Sequence, residues 1–452
     1  MDVVVIETTP LGDRSYLVHD GMVGLVIDPQ RDTDRVEAAA RGAGVAITHV
    51  AETHIHNDYV TGGLVLAEKH GARYLVNTAD AVAFERVPVK DGQLFRVGRL
   101  SVTVLATPGH THTHLAYVVE EPDGPDAGRR AVFSGGSLLY GSVGRTDLVA
   151  ASDTAGLAHE QYASVRRLAA FAGPDAELYP THGFGSFCSI GPASRQEAST
   201  IAEQLAFNHA LTDPDEDHFV AGLLAAVSAY PSYYAHMRPL NEAGPGPASL
   251  AVPDNVDPGE LRRRLEAGEW VVDLRNRVAF AASHLLGSAS FEYGSGSSFT
   301  SYLGWVLPWG QPLTLVGSRD DVERAVRDLA RIGIDSPDAA VGDDSRALAP
   351  GVPLTSYPRT DWAGFVRDRA EGDTLLDVRR TDEFAAAHVP GAVNVPLHEV
   401  LHRLEELPEA RTWVYCTSGY RASVAASLLH REGREVVLID ARFRDAPGTV
   451  SG

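Results

Sequence analysis

The sequence predicts a mixed chain of α/β and α+β parts: an N-terminal unit on mixed sheets, then two copies of a smaller α/β unit. Three observations carry this. In the first half strands and helices alternate, but many strands are joined by hairpins, which favours mixed sheets over one parallel sheet. In the second half, Trp270-Val271-Val272-Asp273-Leu274-Arg275 aligns with Thr374-Leu375-Leu376-Asp377-Val378-Arg379, and His284-Leu285-Leu286-Gly287-Ser288-Ala289 aligns with His388-Val389-Pro390-Gly391-Ala392-Val393. Finally, Gly/Pro-rich breaks at residues 243–248 and 349–353 separate the parts. The expected limits are 1–250, 254–348 and 354–450, each copy being of ordinary domain size.

Taken in order, residues 3–7, 15–18 and 23–27 read as strands divided by turn residues such as Leu11-Gly12-Asp13. Residues 32–41 repeat Val36, Ala39 and Ala40 on one face and close at Gly42, as a helix does. Residues 45–50 form an apolar strand, 61–70 a helix and 72–76 a strand. Further strands are expected at 100–107, from 114, at 131–133 and at 177–179, with helices at 201–210 and 219–227. Beyond the first break come helix 258–267, strand 270–274 and helix 321–332; beyond the second come helix 362–369, strand 374–378 and helix 422–431.

Composition excludes several classes. The net charge of -21 opposes sequence-independent binding to nucleic acid and to anionic membranes. Cys188 and Cys416 lie far apart, so no disulfide framework is expected and a reducing, cytoplasmic setting is. No run of about 18 apolar residues suggests a membrane span, and the N-terminus begins directly as a strand rather than as a signal peptide.

The chemistry concentrates first at Thr53-His54-Ile55-His56-Asn57-Asp58-Tyr59, directly after the strand at 45–50. In extended chain, side chains two apart point the same way, so His54 and His56 could share one ion while Asp58 leans toward a neighbouring position. His110, His112, His114 and His182 follow other strand ends. These stretches, together with Thr107-Pro108-Gly109-His110-Thr111, Gly144-Arg145-Thr146-Asp147-Leu148 and Tyr179-Pro180-Thr181-His182-Gly183, resemble the metallo-β-lactamase superfamily. The resemblance covers residues 1 to about 239 and implies an αββα sandwich with a metal at one sheet edge. The GRTDL stretch narrows it to the persulfide dioxygenase and glyoxalase II-like branch.

Two departures from that pattern matter. Tyr59 replaces the last histidine of HxHxDH, which removes a ligand of the second metal position and favours a mononuclear site. Gly136, in Phe133-Ser134-Gly135-Gly136, occupies the place of the aspartate that ligates iron in the family. His54, His56 and His110 are the expected ligands, with Asp58 or His182 able to move in. Mononuclear Fe(II) is the expected ion and zinc the alternative. If the glycine has weakened the site, Gly136→Asp is expected to tighten metal binding. Arg145 either holds a substrate carboxylate or braces its loop through Asp147. His112 and His114 are expected at the surface or behind the ligands, and Cys188 as a buried thiol or near the metal.

In the last copy, Cys416 follows a strand and opens the run Thr417-Ser418-Gly419-Tyr420-Arg421 into a helix. Inward backbone N–H groups and the helix N-terminus make such a turn an anion-binding nest and favour a thiolate. With Asp377-Val378-Arg379 and residues 388–392, this resembles the rhodanese family. Four residues between Cys416 and Arg421 suit a persulfide sulfur rather than the larger oxyanion of the phosphatase relatives. Cys416 is then the nucleophile, Arg421 orients the donor, and Ser418, Gly419 and Tyr420 contact it. The middle copy has Val316-Gly317-Ser318-Arg319-Asp320 at this place and no cysteine, so it cannot form the covalent persulfide.

The order of units resembles the persulfide dioxygenase–rhodanese fusions. This implies oxidation of a low-molecular-weight thiol persulfide to sulfite and movement of sulfane sulfur through Cys416, with thiosulfate or sulfite as partners. A homo-oligomer is expected. The alternatives are a zinc-dependent thioester hydrolase with rhodanese activity, and a sulfane-sulfur carrier with chemistry only at Cys416.

Overall fold

The computed structural model describes residues 1–123, 127–190, 194–294, 298–342 and 344–450. The polypeptide forms two compact units, one of Met1–Ala248 with Ala330–Gly333 and one of Ser249–Leu329 with Ile334–Gly452. The second holds both copies of the repeat. Among the described residues no helix is long and apolar enough to cross a membrane.

The first unit pairs two six-stranded sheets. Strands β1 (Asp2–Thr8), β2 (Asp13–His19), β3 (Val23–Ile27), β4 (Ala46–Ala51), β5 (Arg73–Asn77) and β6 (Val87–Val89) lie in chain order. The second sheet runs β12-β11-β10-β9-β8-β7, from β7 (Leu94–Val97), β8 (Leu100–Ala106), β9 (Leu115–Glu120), β10 (Arg130–Gly135), β11 (Glu177–Pro180) and β12 (Ser199–Thr200). Hairpins join β1 to β2, β2 to β3, β7 to β8 and β8 to β9, while β3, β4, β5 and β6 are parallel. The sheets are therefore mixed.

The period-2 alternation of strands sorts the apolar residues into layers. Tyr16, Val18, Leu25 and Ile27 of the first sheet meet Val102, Val104, Tyr117 and Phe133 of the second in one buried cluster. Leu17 and Val26 point the other way and pack under the helices Asp34–Ala43 and Gly63–His70 through Val36, Ala40 and Leu66. On the far side, Ala116, Val118 and Val132 pack under the helix Thr154–Ala172. The result is an αββα sandwich. The sequence reading lacks that 19-residue helix, although Leu157, Gln161, Tyr162, Val165, Leu168 and Ala172 bury one face at helical spacing.

Strands β8, β10 and β11 run in one direction, so their C-terminal ends share an edge. The Leu115 N–H donates to the Thr53 carbonyl at 2.7 Å and ties the segment after β4 to this same edge. His54, His110, Gly136 and His182 each follow one of these strand ends within a few residues.

Both copies in the second unit are parallel sheets with one core topology. Trp270–Asp273 lies between Ala289–Ser290 and Leu313–Gly317, as Thr374–Asp377 lies between Ala392–Asn394 and Thr412–Tyr415. The repeated residues do the same work in each. Arg275 binds the Asp273 carboxylate through Nε at 3.0 Å and Nη2 at 2.6 Å, and Arg379 binds Asp377 at the same two distances. His284 stacks on Phe280 with centroids 3.9 Å apart, and His388 on Phe384 at 4.2 Å.

Candidate metal centre and sulfur-transfer loop

At the strand-end edge His54, His56, His110 and His182 are each at most 1% exposed. One ring nitrogen from each of His54, His110 and His182 lies within 4.8 Å of the others. The hydrogen bonds around them decide which nitrogen faces in. His110 Nδ1 lies 2.7 Å from the Arg145 carbonyl, which only accepts, so Nδ1 carries the proton. Thr53 donates its hydroxyl proton to Asp28 at 2.7 Å, so its oxygen accepts from His54 Nδ1 at 2.9 Å. His182 Nδ1 donates to Asp13 at 2.8 Å. All three Nε2 atoms are therefore unprotonated, and those of His182 and His54 face each other at 3.4 Å. Two lone pairs set face to face repel unless a cation lies between them. His110 Nε2 is buried with no hydrogen-bond partner. Buried polar atoms are rarely left so, and these donors fit a metal ion.

Burial lowers the pKa of His54 and His110 well below the ordinary range, and neighbouring histidines add to this. His182 is also lowered, first by burial. The imidazoles are neutral, as ligands must be.

His56 differs. Its Nε2 faces Tyr59 Oη at 2.9 Å and Asp28 and Glu52 at 3.3 Å each. Burial would lower its pKa, but Asp28 and Glu52 raise it to about 10. Its Nδ1 is buried without a partner, 4.0 Å from an Asp58 oxygen. His56, Asp58 and His182 form a second group within 4.8 Å. In that group His182 Nδ1, 3.3 Å from Asp58, already gives its proton to Asp13. Burial raises Asp13 to about 7 and Asp58 to about 6. This side is a hydrogen-bonded shell behind His182. Tyr59, at the place of the family's last histidine, donates to the Asp28 carbonyl at 3.2 Å and supports His56 from behind.

The remaining candidates separate clearly. His114 is buried, donates from Nδ1 to Thr107 at 2.8 Å, and accepts the Gly136 N–H at Nε2 at 2.9 Å, so both nitrogens are spent. His112 is half exposed and bonds Asp153 at 3.0 Å. Arg145 is buried. Its guanidinium binds Asp147 at 2.7 Å through Nε and Nη2, together with the Phe187 and Ser228 carbonyls, which is the bracing alternative. Gly136 lies against the His110 ring. A Cβ there would lie 2.2 Å from His110 Cδ2, so the structure has closed over the family's aspartate position. Cys188 is buried 3.9 Å from Tyr234 Oη, and burial pushes its thiol well up.

In the second unit Cys416 follows the strand Thr412–Tyr415 and precedes the helix Tyr420–Arg431. The Gly419 N–H donates to Cys416 Sγ at 3.2 Å, from a backbone at φ 96° that favours glycine. Arg421 is engaged within its own domain: Nη1 and Nη2 bind Glu383 at 2.5 and 2.8 Å, and Nη2 binds Thr417 at 2.8 Å. Burial would raise the Glu383 pKa, but Arg421 takes it down to about 2. Ser418 is exposed, and Ser418, Tyr420 and Arg421 line a cavity of about 610 Å³. In the middle copy a single residue, Ser318, separates the strand ending at Gly317 from the helix starting at Arg319. Asp320 and Asp321 fill that helix's first turn, where they repel an anion.

Residues 8–183 match the metallo-beta-lactamase superfamily and residues 363–444 the rhodanese-like domain. The chain joins a metallo-beta-lactamase domain to a rhodanese domain. It is similar to a hydroxyacylglutathione hydrolase of Rhizobium johnstonii, 37% identical over 26% of this chain and 46% of that protein. It is also similar to the human protein named persulfide dioxygenase ETHE1, mitochondrial, 26% identical over 45% of this chain and 70% of that one. The chain spans about half the length, or less, of the hydroxyacylglutathione hydrolases it matches. A crystal structure of a metallo-beta-lactamase from Staphylococcus aureus subsp. aureus COL superposes with a TM-score of 0.67 at 25% identity, over 76% of this chain and 99% of that one.

Sequence reasoning missed the residues that orient the donors: Asp13, Asp28, Glu52 and the Arg145 carbonyl. Asp13 and His182 are 169 residues apart, and no local pattern pairs them. It also missed Glu383, which sits opposite Arg421.

Proposed function

We propose that the metallo-beta-lactamase domain oxidises a low-molecular-weight thiol persulfide with dioxygen at one iron ion, and that the rhodanese domain moves sulfane sulfur through Cys416. The observation that supports the first part most is the convergence of three neutral, outward-pinned imidazoles at His54, His110 and His182. These three would hold the ion, while His56, held as a cation by Asp28 and Glu52, stands outside this set. Three protein ligands leave positions open for substrate and dioxygen. When bound, a redox-active ion supplies the one-electron chemistry that dioxygen needs to react with a sulfur compound. The chain's own residues do the rest: Thr53, Asp13 and the Arg145 carbonyl hold the rings in register, and the buried surroundings exclude bulk water. Overall, one persulfide, one dioxygen and one water give one thiol and sulfurous acid, which ionises to sulfite. At Cys416 the thiolate attacks the outer sulfur of thiosulfate. A new S–S bond forms, the old one breaks, and sulfite leaves with its electron pair. Cyanide then removes the sulfur as thiocyanate and restores the thiolate.

A zinc-dependent thioester hydrolase is the second reading, favoured by the likeness to the hydroxyacylglutathione hydrolases. Metal analysis with two assays separates the readings. Iron, with oxygen uptake and sulfite formation from glutathione persulfide, supports the dioxygenase. Zinc with cleavage of a glutathione thioester supports the hydrolase. Protein that holds no metal on iron or zinc titration overturns both.

A further inference from the structure

The cysteine-less copy contributes to the cavity at the Cys416 loop. Arg277, Glu292 and Tyr302 of that copy line it together with Ser418, Arg421 and Arg442 of the catalytic copy. The two copies are packed here rather than merely adjacent: the Ser290 N–H donates to Ser427 Oγ at 2.9 Å, and Trp305 stacks on His398 with centroids 4.3 Å apart. Arg277 reaches across to Asp440 of the catalytic copy at 2.8 Å and is held on its other side by Glu292 at 2.6 Å. Its closeness to the reactive loop is measured at Gly419. A Cβ there would lie 2.2 Å from Asp440 Oδ1 and 3.2 Å from Arg277 Nε, and this same glycine donates its N–H to Cys416 Sγ.

The charges indicate what the cavity takes. Among its described lining residues are three arginines and one carboxylate. Arg421 is spent on Glu383. Asp440 is shared between Arg277 and Arg359, at 3.0 Å from the latter, so it does not cancel Arg277 alone. The bonds Arg277 makes use Nε and Nη1 and leave Nη2 for a ligand. Arg442 is exposed, with no ion pair among the described residues.

We infer that the cysteine-less copy is the anion-recognition half of the sulfur-transfer site, with Arg277 binding the oxyanion end of the sulfane-sulfur donor while Cys416 takes its outer sulfur. This rests on the reading of Cys416 as the sulfur acceptor. The copy that lost the nucleophile has kept a substrate-binding role, and Arg277 is a specificity-determining residue for donors that carry negative charge.

The test uses the full-length protein, cyanide as acceptor, and two donors: thiosulfate, a dianion, and an aryl thiosulfonate, a monoanion. Loss of one charge-assisted hydrogen bond is expected to raise KM for thiosulfate about tenfold in Arg277→Gln, with kcat within about twofold. A smaller rise is expected for the thiosulfonate, and Arg277→Lys should recover part of the loss. An unchanged KM in a folded Arg277→Gln protein overturns the inference. So does a kcat loss equal for both donors, which would mark a structural role. Should Arg277→Gln fail to fold, Arg277→Lys carries the test: it keeps the charge and loses the fork, and a thiosulfate KM equal to that of the unmodified protein overturns the inference. Sulfite titrated into Cys416→Ser protein gives a readout free of turnover. Weaker binding on adding Arg277→Lys supports the inference, and equal binding overturns it. If Cys416→Ser retains transfer, the underlying reading of Cys416 falls instead, a result distinct from any Arg277 outcome.

Discussion

At the histidine cluster each imidazole comes from a different strand end or loop, whereas at Cys416 one short run between a strand and a helix makes the whole turn around the sulfur. The cluster is at most 1% exposed and held by side-chain partners distant in sequence, such as Asp13 for His182. At the cysteine turn Cys416 is buried too, but the following Thr417, Ser418 and Tyr420 open onto a cavity and the turn uses its own backbone. The first arrangement stores its order in the tertiary fold, and the second stores it locally. A change at the cluster should therefore propagate through partners, while a change at the turn should act on one step and leave the rest intact.

The largest effects separate the two sites. Cys416→Ser is expected to abolish sulfur transfer to cyanide and leave metal content and oxygen uptake unchanged. After thiosulfate treatment, mass spectrometry should find about 32 Da added at Cys416, where the Gly419 N–H faces the sulfur beside a cavity, and none at Cys188, whose thiol burial pushes well up with no such turn around it. Equal modification of both would show that the turn confers no special reactivity. The converse change, His54→Ala with His110→Ala, is expected to empty the metal site and spare transfer; full metal retention would mean that other residues hold the ion.

Next in size is Asp13→Asn, which touches no donor nitrogen that faces inward. Such partners typically govern metal affinity by about 10–100-fold, so a loss in that range is expected in a competitive chelator titration. Unchanged affinity would show that His182 is not a ligand. Gly136→Asp sharpens the point about space. The added side chain must displace His110, so metal affinity is expected to fall and thermal stability to drop by about 1–3 kcal/mol. Tighter metal binding would instead mean that the edge opens readily to readmit the carboxylate.

The smallest effect concerns acid. Arg421 takes Glu383 from its ordinary 4.5 down to about 2. A carboxylate with a depressed folded-state pKa stabilises fully above its unfolded value and loses that contribution as pH falls toward the folded one. The stability difference between the unmodified protein and Glu383→Gln should therefore be constant above pH 5 and shrink between about pH 4.5 and 2. A difference that stays flat across that window would show that the pair adds nothing.

How much was legible beforehand follows the same division. The cysteine turn, the repeat and the strand pattern are local: strand, Cys416, Ser418-Gly419 and Arg421 occupy a few consecutive residues, and the mirrored Asp–Arg pairs lie two apart. Short-range backbone geometry carries their meaning, so the amino-acid order alone determined them. The histidines stood out as candidates, but which nitrogen faces inward did not. That depends on Thr53, Asp13 and the Arg145 carbonyl, the last two arriving from remote strands and loops. The void filled at Gly136 and the reach of Arg277 to the Cys416 loop are likewise matters of packing between segments far apart in the chain, at Gly419 across some 140 residues. Only the tertiary structure decided these, because steric closure and hydrogen-bond direction exist only between atoms that folding has brought together.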